Sequence, residues 1–216
     1  MDRKNRIYKN VKLGKNCKVS EYVILGLPPK GKKPGELKLE IGDNAVIRPF
    51  TIIYAGSRIG KNFQSGHYSV IRENNEIGDD VVVGITSELA PGNKIGNGVK
   101  IHSGCFMELV TMGDCCSLGP NTVFLDDPHP RCPRYDECVG GAKVGKNVAF
   151  GGNVTVLPGI VIGDECLVGA GAVVTRNIPS GSVVAGNPAK ILKKISELEC
   201  HKGYFKKPYD WRVRES

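Results

Sequence analysis

From Ile41 to Met107 the chain sets down a marker residue every six positions without a break. The series runs Ile41, Ile47, Ile53, Ile59, Ser65, Ile71, Ile77, Val83, Leu89, Ile95, Ile101, Met107, and eleven of the twelve are aliphatic or Met. No α-helix has a period of six, and a strand alternates with a period of two. Six therefore calls for short strands joined by tight turns at regular intervals, which is the pattern of a parallel β-helix. The 28 glycines and 6% aromatic content suit a thin coil with an aliphatic interior and tight corners.

Taken in threes, the hexads define an eighteen-residue coil with three distinct columns. The first column holds Leu13, Ile41, Ile59, Ile77, Ile95, Met112, Val144 and Ile162, each followed by Gly. In the second column the followers are Ser20, Arg48, Gly66, Gly84, His102, Gly119, Gly151 and Gly169. From Ile53 onward the third column's followers are Tyr54, Arg72, Ala90, Glu108, Leu125, Leu157 and Thr175. Three columns with different chemistry describe a triangular prism of about eight coils. The predicted organisation is an all-β, β-helical domain over residues 1–190, interrupted by loops at 26–40 and 126–143. Both loops leave after a third-column position, so they project from one edge. Residues 191–216 are expected to form a short amphipathic helix on Ile191, Leu192, Ile195 and Leu198, followed by an aromatic tail that docks on this chain or on another copy.

The net charge of +8 is unevenly spread: +7 over residues 1–40, −3 over 41–189 and +4 over 190–216. No stacking aromatics alternate with the basic residues and no recognition motif is present, so nucleic acid is not the expected partner. The start MDRKNRIYKN is charged, with no apolar segment behind it, and no apolar run approaches the roughly 20 residues needed to span a bilayer. A cytoplasmic protein without membrane insertion is expected.

The [LIV]-G-x4 pattern repeated in threes, the long late loop and the closing VVAGNPAKIL resemble the hexapeptide-repeat acyltransferases. Within that family the chain looks most similar to N-acetyltransferases of nucleotide-linked amino sugars, through IGDNAVIRPFTIIYAGSRIG, IHSGCFMELVTMGD and the loop after NTVFLDDPHP. The resemblance implies a left-handed parallel β-helix, an exception to the usual right-handed crossover. It also implies a homotrimer that uses acetyl-CoA or another acyl-CoA as co-substrate. It places the acyl donor outside the later coils, at positions that match Gly151, Gly152, Gly169, Ala170, Ala172, Pro188 and Lys190.

Acyl transfer from a thioester needs a base, donors for the oxyanion and alignment of both substrates. His102 occupies a corner place that the next three coils give to Gly, and Glu108 takes the equivalent place six residues on, so the two are candidates for base and orienter. His129, held between Pro128 and Pro130, is the second candidate base, with Asp126 or Asp127 to orient it; in related enzymes a loop residue near here crosses a subunit boundary. Arg48, Tyr54 and Arg72 replace small residues at corners near Lys30, Lys32 and Lys33, where a diphosphate is expected, and His67 faces outward as a substrate contact. Of the eight cysteines, Cys17, Cys105, Cys116 and Cys166 share a register position that otherwise holds Ala, Ser or Thr, so they are packing residues at a place expected to want small side chains. Cys132 and Cys138 are spaced C-x5-C, which fits no common zinc pattern, and no metal is expected. The zinc-binding carbonic anhydrases of this fold use a close His pair that is absent here. The expected activity is N-acylation of a nucleotide-linked amino sugar. Its rivals are O-acetylation of a small hydroxyl acceptor and a non-catalytic trimeric scaffold.

Overall fold

A computed structural model describes residues 5–206, 208 and 209. Most strands are two residues long. The hexad residue points inward and the residue before it points out, as in Arg58–Ile59 or Glu76–Ile77. Outside the loops and the one shortened turn, strands pair in parallel with those eighteen residues on, Ile41 with Ile59, Ile59 with Ile77 and Ile77 with Ile95. Three parallel sheets result, wound as a left-handed β-helix with almost no α-helix. The first column forms face I, with eight strands, so the eight expected coils are present. The second column forms face II, with ten strands, and the third forms face III, with nine. Face III gains an extra strand, Arg6–Ile7, at its start, and face II gains a closing hairpin. With coils about 4.8 Å apart, ten strands make the prism roughly 40 Å tall.

The corners explain the glycines. A Cβ added at Gly84 would stand 2.4 Å from the backbone of His102, and one at Gly151 would stand 2.4 Å from that of Ala170. The third residue of most turns is left-handed, and on edge I–II Asn fills that place at Asn16, Asn44 and Asn62, with φ of 58°, 61° and 57°. Their amides link coil to coil, Asn44 Nδ2 donating to Asn62 Oδ1 at 3.1 Å and Asn62 Nδ2 to Asp80 Oδ1 at 2.8 Å.

Cys105, Cys116 and Cys166 are buried in their expected inward register. Burial pushes the Cys105 and Cys166 thiols up, away from the reactive thiolate. The rule that this register wants small residues is corrected, because Phe63, Val81, Val99, Asn75 and Asn93 occupy it and are fully buried. The register fixes direction; the space available differs from corner to corner. Under edge III–I this gives an internal amide ladder, in which Asn93 Nδ2 donates to Asn75 Oδ1 at 2.8 Å and Asn75 Nδ2 to the Arg72 carbonyl at 2.9 Å.

Both long loops leave face III, after Ile24–Leu27 and after Val123–Phe124. The late loop carries one short helix, α1 (Tyr135–Cys138). The expected C-terminal helix is corrected. Lys190–Lys194 is a strand, antiparallel to Ser182–Ala185, and one 3-10 turn follows over Ile195–Glu197. Ser182–Ala185 ends face II with an open row of N–H and C=O groups, which a helix at 191 would leave unpaired. The new edge carries Lys190, Lys193 and Lys194, charges that discourage further strand addition. In the tail Tyr204 and Phe205 are 80% and 41% exposed, and Trp211 lies outside the described residues. Among the described residues no helix is long and apolar enough to cross a membrane.

Candidate active site

The residues expected to carry chemistry fall on two edges of the prism. Arg48, His67 and His102 stand on edge II–III, while Tyr54, Arg72, Glu108 and Asp126 stand on edge III–I. The expected grouping of Arg48 with Tyr54 and Arg72 is thereby corrected. Six residues advance the chain by one side of the triangle, so Arg48 and Tyr54 begin successive corners. The same step separates His102 from Glu108, and the two do not form the expected base–orienter pair.

Edge II–III is a continuous column. Coil by coil it reads Arg48, Gly66, Gly84, His102, Gly119, Gly151, Gly169 and then Ala185. His102 is exposed; its backbone N–H donates to the Leu118 carbonyl at 3.0 Å, and its own carbonyl accepts from the Ser87 hydroxyl at 2.8 Å. The backbone is thus fixed in the coil while the imidazole stands at the corner. Above it, side chains disappear: a Cβ at Gly119 would lie 2.5 Å from Gly151, and one at Gly169 would lie 2.9 Å from the Ala185 Cβ. Lys190 pairs with Ala185 across the closing hairpin, and Pro188 lies in its turn. Gly151, Gly152, Gly169, Ala170, Pro188 and Lys190 therefore gather on one stretch of this edge. Ala172 does not join them. It is fully buried, because it holds the inward register place that Cys105 also holds, so it is withdrawn as a ligand contact.

Edge III–I has different chemistry. Arg72 grips Glu73 through Nε and Nη2 at 3.0 and 2.9 Å, and its guanidinium lies 5.4 Å from the centre of the Tyr54 ring. Lys32 is likewise paired, to Glu36 at 2.6 Å within its own loop. These cations are engaged, which argues against a diphosphate at this corner. Asp126 is buried and accepts the Tyr135 hydroxyl at 2.7 Å, while the Gly140 N–H donates to its carbonyl at 2.9 Å. Asp126 therefore closes the late loop at both ends. The bond to Asp126 pushes the Tyr135 hydroxyl up to about 12, with burial adding to it. Asp127 accepts the backbone N–H of His129 at 2.8 Å and so shapes the turn around an exposed imidazole. Neither aspartate is spent on orienting that imidazole, contrary to expectation. Phenylalanine at Tyr135 should leave the prism's melting point unchanged and speed proteolytic cleavage between residues 128 and 139, read by mass spectrometry of timed digests.

Burial, then Asp126, raises the Glu108 carboxyl above the usual 4.5, with Arg72 opposing. A carboxyl raised on folding favours the fold below its unfolded value and loses that contribution as pH climbs through the folded value. Glu108→Gln should therefore melt no lower than the wild type at pH 7, and its advantage should shrink as pH falls toward 4. Scanning fluorimetry across pH 4–8 reads this, and a lower melting point for the variant at pH 7 would refute it.

A family model described as the hexapeptide repeat of succinyl-transferase matches residues 141–176, the coils that carry Gly151, Gly152, Gly169 and Ala170. Over these coils the chain is similar to hexapeptide-repeat transferases. It is 49% identical over 59 residues to a Staphylococcus aureus (strain MRSA252) protein named by class as an acetyltransferase, a match that spans 27% of this chain and 30% of that one. It is 34% identical over 111 residues to the galactoside O-acetyltransferase of Escherichia coli (strain K12), covering 50% of this chain and 53% of that one. The aligned stretches thus take in about a third to a half of these relatives' length. Among solved structures, a UDP-N-acetylglucosamine acyltransferase from Bacteroides fragilis superposes with a TM-score of 0.63 at 17% identity, covering 90% of this chain and 74% of that one. That likeness is one of fold.

In this hexapeptide-repeat chain no group of three metal-ligating side chains occurs among the described residues. Cys132 and Cys138 are free, and Cys132 Sγ accepts the Arg134 N–H at 3.4 Å. Sequence reasoning passed over Lys100 and Tyr135. Lys100 is the outward residue of its strand, two before His102, and strict alternation identifies it. Tyr135 offered no such signal, since its link to Asp126 depends on how the loop folds back. A groove of about 490 Å³ lies on face I between Arg58, Glu76 and Lys94 and holds none of the expected site residues. Its charges alternate in sign along a solvated sheet face.

Proposed function

We propose that the chain transfers an acyl group, most simply acetyl, from CoA to the amine of a nucleotide-linked amino sugar. The observation that carries this reading is the column on edge II–III, where His102 sits beneath coils stripped to Gly119, Gly151 and Gly169 and capped by Lys190. Bare backbone lets an extended donor lie close, and Lys190 offers charge to its phosphates. The amine nitrogen attacks the thioester carbonyl carbon, and His102 takes the proton that the nitrogen sheds. The tetrahedral oxyanion then collapses, the C–S bond breaks, and the proton passes from His102 to the departing sulfur to give free CoA. Among the described residues the N–H groups of Gly152 and Ala170 make no backbone hydrogen bond and line the donor's proposed path.

The acceptor contacts divide between Arg48 and His67 on the His102 edge and Tyr54, Arg72, Asp126, Asp127 and His129 around the late loop. A homotrimer unites them if the loop of one copy reaches the His102 edge of the next. The outer side of face III supports association, because Ile24, Ile52, Val70, Phe106 and Val123 all point outward there and are half-buried. Acyl-CoA and nucleotide sugars as substrates fit a cytoplasmic reaction. The Escherichia coli relative favours a second reading, O-acetylation of a sugar hydroxyl.

The purified protein is mixed with acetyl-CoA and a panel of UDP- and dTDP-amino sugars alongside their hydroxyl counterparts, and free thiol is followed. Release with the amino sugars alone supports N-acylation, and turnover with only hydroxyl acceptors supports the second reading. Absence of both CoA binding and turnover leaves a non-catalytic scaffold.

A further inference from the structure

Three aromatic rings stand in register on edge II–III, below His102. Tyr22, Phe50 and Tyr68 stack with ring centres 5.1 and 4.7 Å apart and planes within 2° of parallel. The spacing is that of the coils themselves. All three are exposed, at 46%, 40% and 56%, so burial does not account for them. Each holds the third place of its turn with a left-handed φ of 60°, 63° or 58°, a conformation bulky side chains seldom adopt. Edge I–II fills the same place with Asn16, Asn44 and Asn62, the choice local preference favours. Three successive aromatic residues thus depart from what the coil itself requires. The next two coils place Thr86 and Gly104 over Tyr68, so its ring is covered by Phe50 on one side and only by small residues on the other.

Beside this strip runs a groove of about 300 Å³, bordered by Arg48, Gly66, Gly84, Ile85, Lys100 and His102. Among the described residues Arg48 and Lys100 form no ion pair, unlike Arg72 and Lys32. Gly66 and Tyr68 are two residues apart, which holds groove and ring within about 7 Å at the backbone. A planar ring beside two free cations is the chemistry of a nucleoside diphosphate, a base to stack and phosphates to pair.

We propose that this strip binds a nucleoside diphosphate, with the base on the open face of Tyr68 and the phosphates between Arg48 and Lys100. The inference rests on the acyltransferase reading only for the identity of the ligand. Two substrates of that reaction carry such a group, the nucleotide sugar and CoA itself. The column proposed for CoA begins above His102, two coils or about 10 Å beyond the coil of Tyr68. The strip is therefore assigned to the acceptor, whose sugar would extend toward His102.

The test is calorimetric titration of UDP, dTDP, CoA and inorganic pyrophosphate into the wild type, Tyr68→Asn and Tyr68→Trp. Asn is the residue this coil uses at left-handed corners, so that variant should fold with an unchanged or higher melting point. UDP or dTDP affinity should fall about tenfold or more in Tyr68→Asn and be kept in Tyr68→Trp, while CoA and pyrophosphate are unaffected. Equal nucleotide affinity in wild type and Tyr68→Asn would overturn the proposal, as would a loss confined to CoA. A change in oligomer mass by light scattering would overturn it too, marking the strip as a contact between copies. If nucleotide binding depends on Tyr68 but thiol release fails with every acceptor, the strip stands and the acyltransferase reading falls.

Discussion

His102→Ala is expected to lower the turnover number for thiol release by about 10²–10⁴-fold, the range that a positioned general base supplies. The lower end applies if the acceptor is an amine, part of which is already neutral, and the upper end if it is a hydroxyl. KM for acetyl-CoA should change little, because the donor's proposed contacts lie on coils above His102. The backbone there is held by the Leu118 carbonyl and the Ser87 hydroxyl, bonds that alanine keeps, so the variant should fold normally. His129→Ala, in an exposed loop, should act mainly on the acceptor's KM. Unchanged turnover in both variants rejects the proposed chemistry.

The largest expected effect on stability is that of Asn93→Ala. Asn93 is fully buried; its amide donates to Asn75 Oδ1, the Ala90 carbonyl and the Met107 carbonyl at 2.8, 2.7 and 3.1 Å. Its Oδ1 accepts the Val110 N–H at 2.9 Å. It lies one coil below the turn where the repeat shortens from six residues to five, between Met107 and Met112, and its Oδ1 holds the Val110 N–H of that turn. Alanine strands the buried Val110 N–H and opens a cavity, while the Ala90 and Met107 carbonyls keep other donors in the Asn75 amide and the Ala90 N–H. At about 1–3 kcal/mol for the stranded N–H, with the cavity adding to it, the loss should be about 2–4 kcal/mol. Urea unfolding followed by circular dichroism measures it, and a loss below about 1 kcal/mol would show that the ladder is not structural.

Much of the prism was legible because the hexad ties each residue to a face by counting alone. It separates the inward cysteines from the loop cysteines and puts both loops on one edge. What escaped it depends on contacts that counting does not see. Lys190–Lys194 carries a helix-like apolar spacing, yet it pairs as a strand because the last coil leaves an edge that must be covered. Asn75 and Asn93 gave no signal, since a polar residue at an inward register place is unremarkable until its partners are known. The His102–Glu108 pairing failed for a geometric reason already implicit in the count: six residues are one full side of a triangle. The aromatic strip on edge II–III is equally countable, since Tyr22, Phe50 and Tyr68 share the third place of successive turns, but the stacking of their rings follows only from the left-handed corner they occupy.

Edge II–III is the proposed working edge, and hydrogen exchange with and without CoA tests this most directly. Saturating CoA is predicted to slow exchange at the Gly151–Gly152 and Gly169–Ala170 turns and near Lys190, and to leave the Gly60 and Gly78 turns of edge I–II unchanged. Protection on edge I–II, or none anywhere, would contradict it.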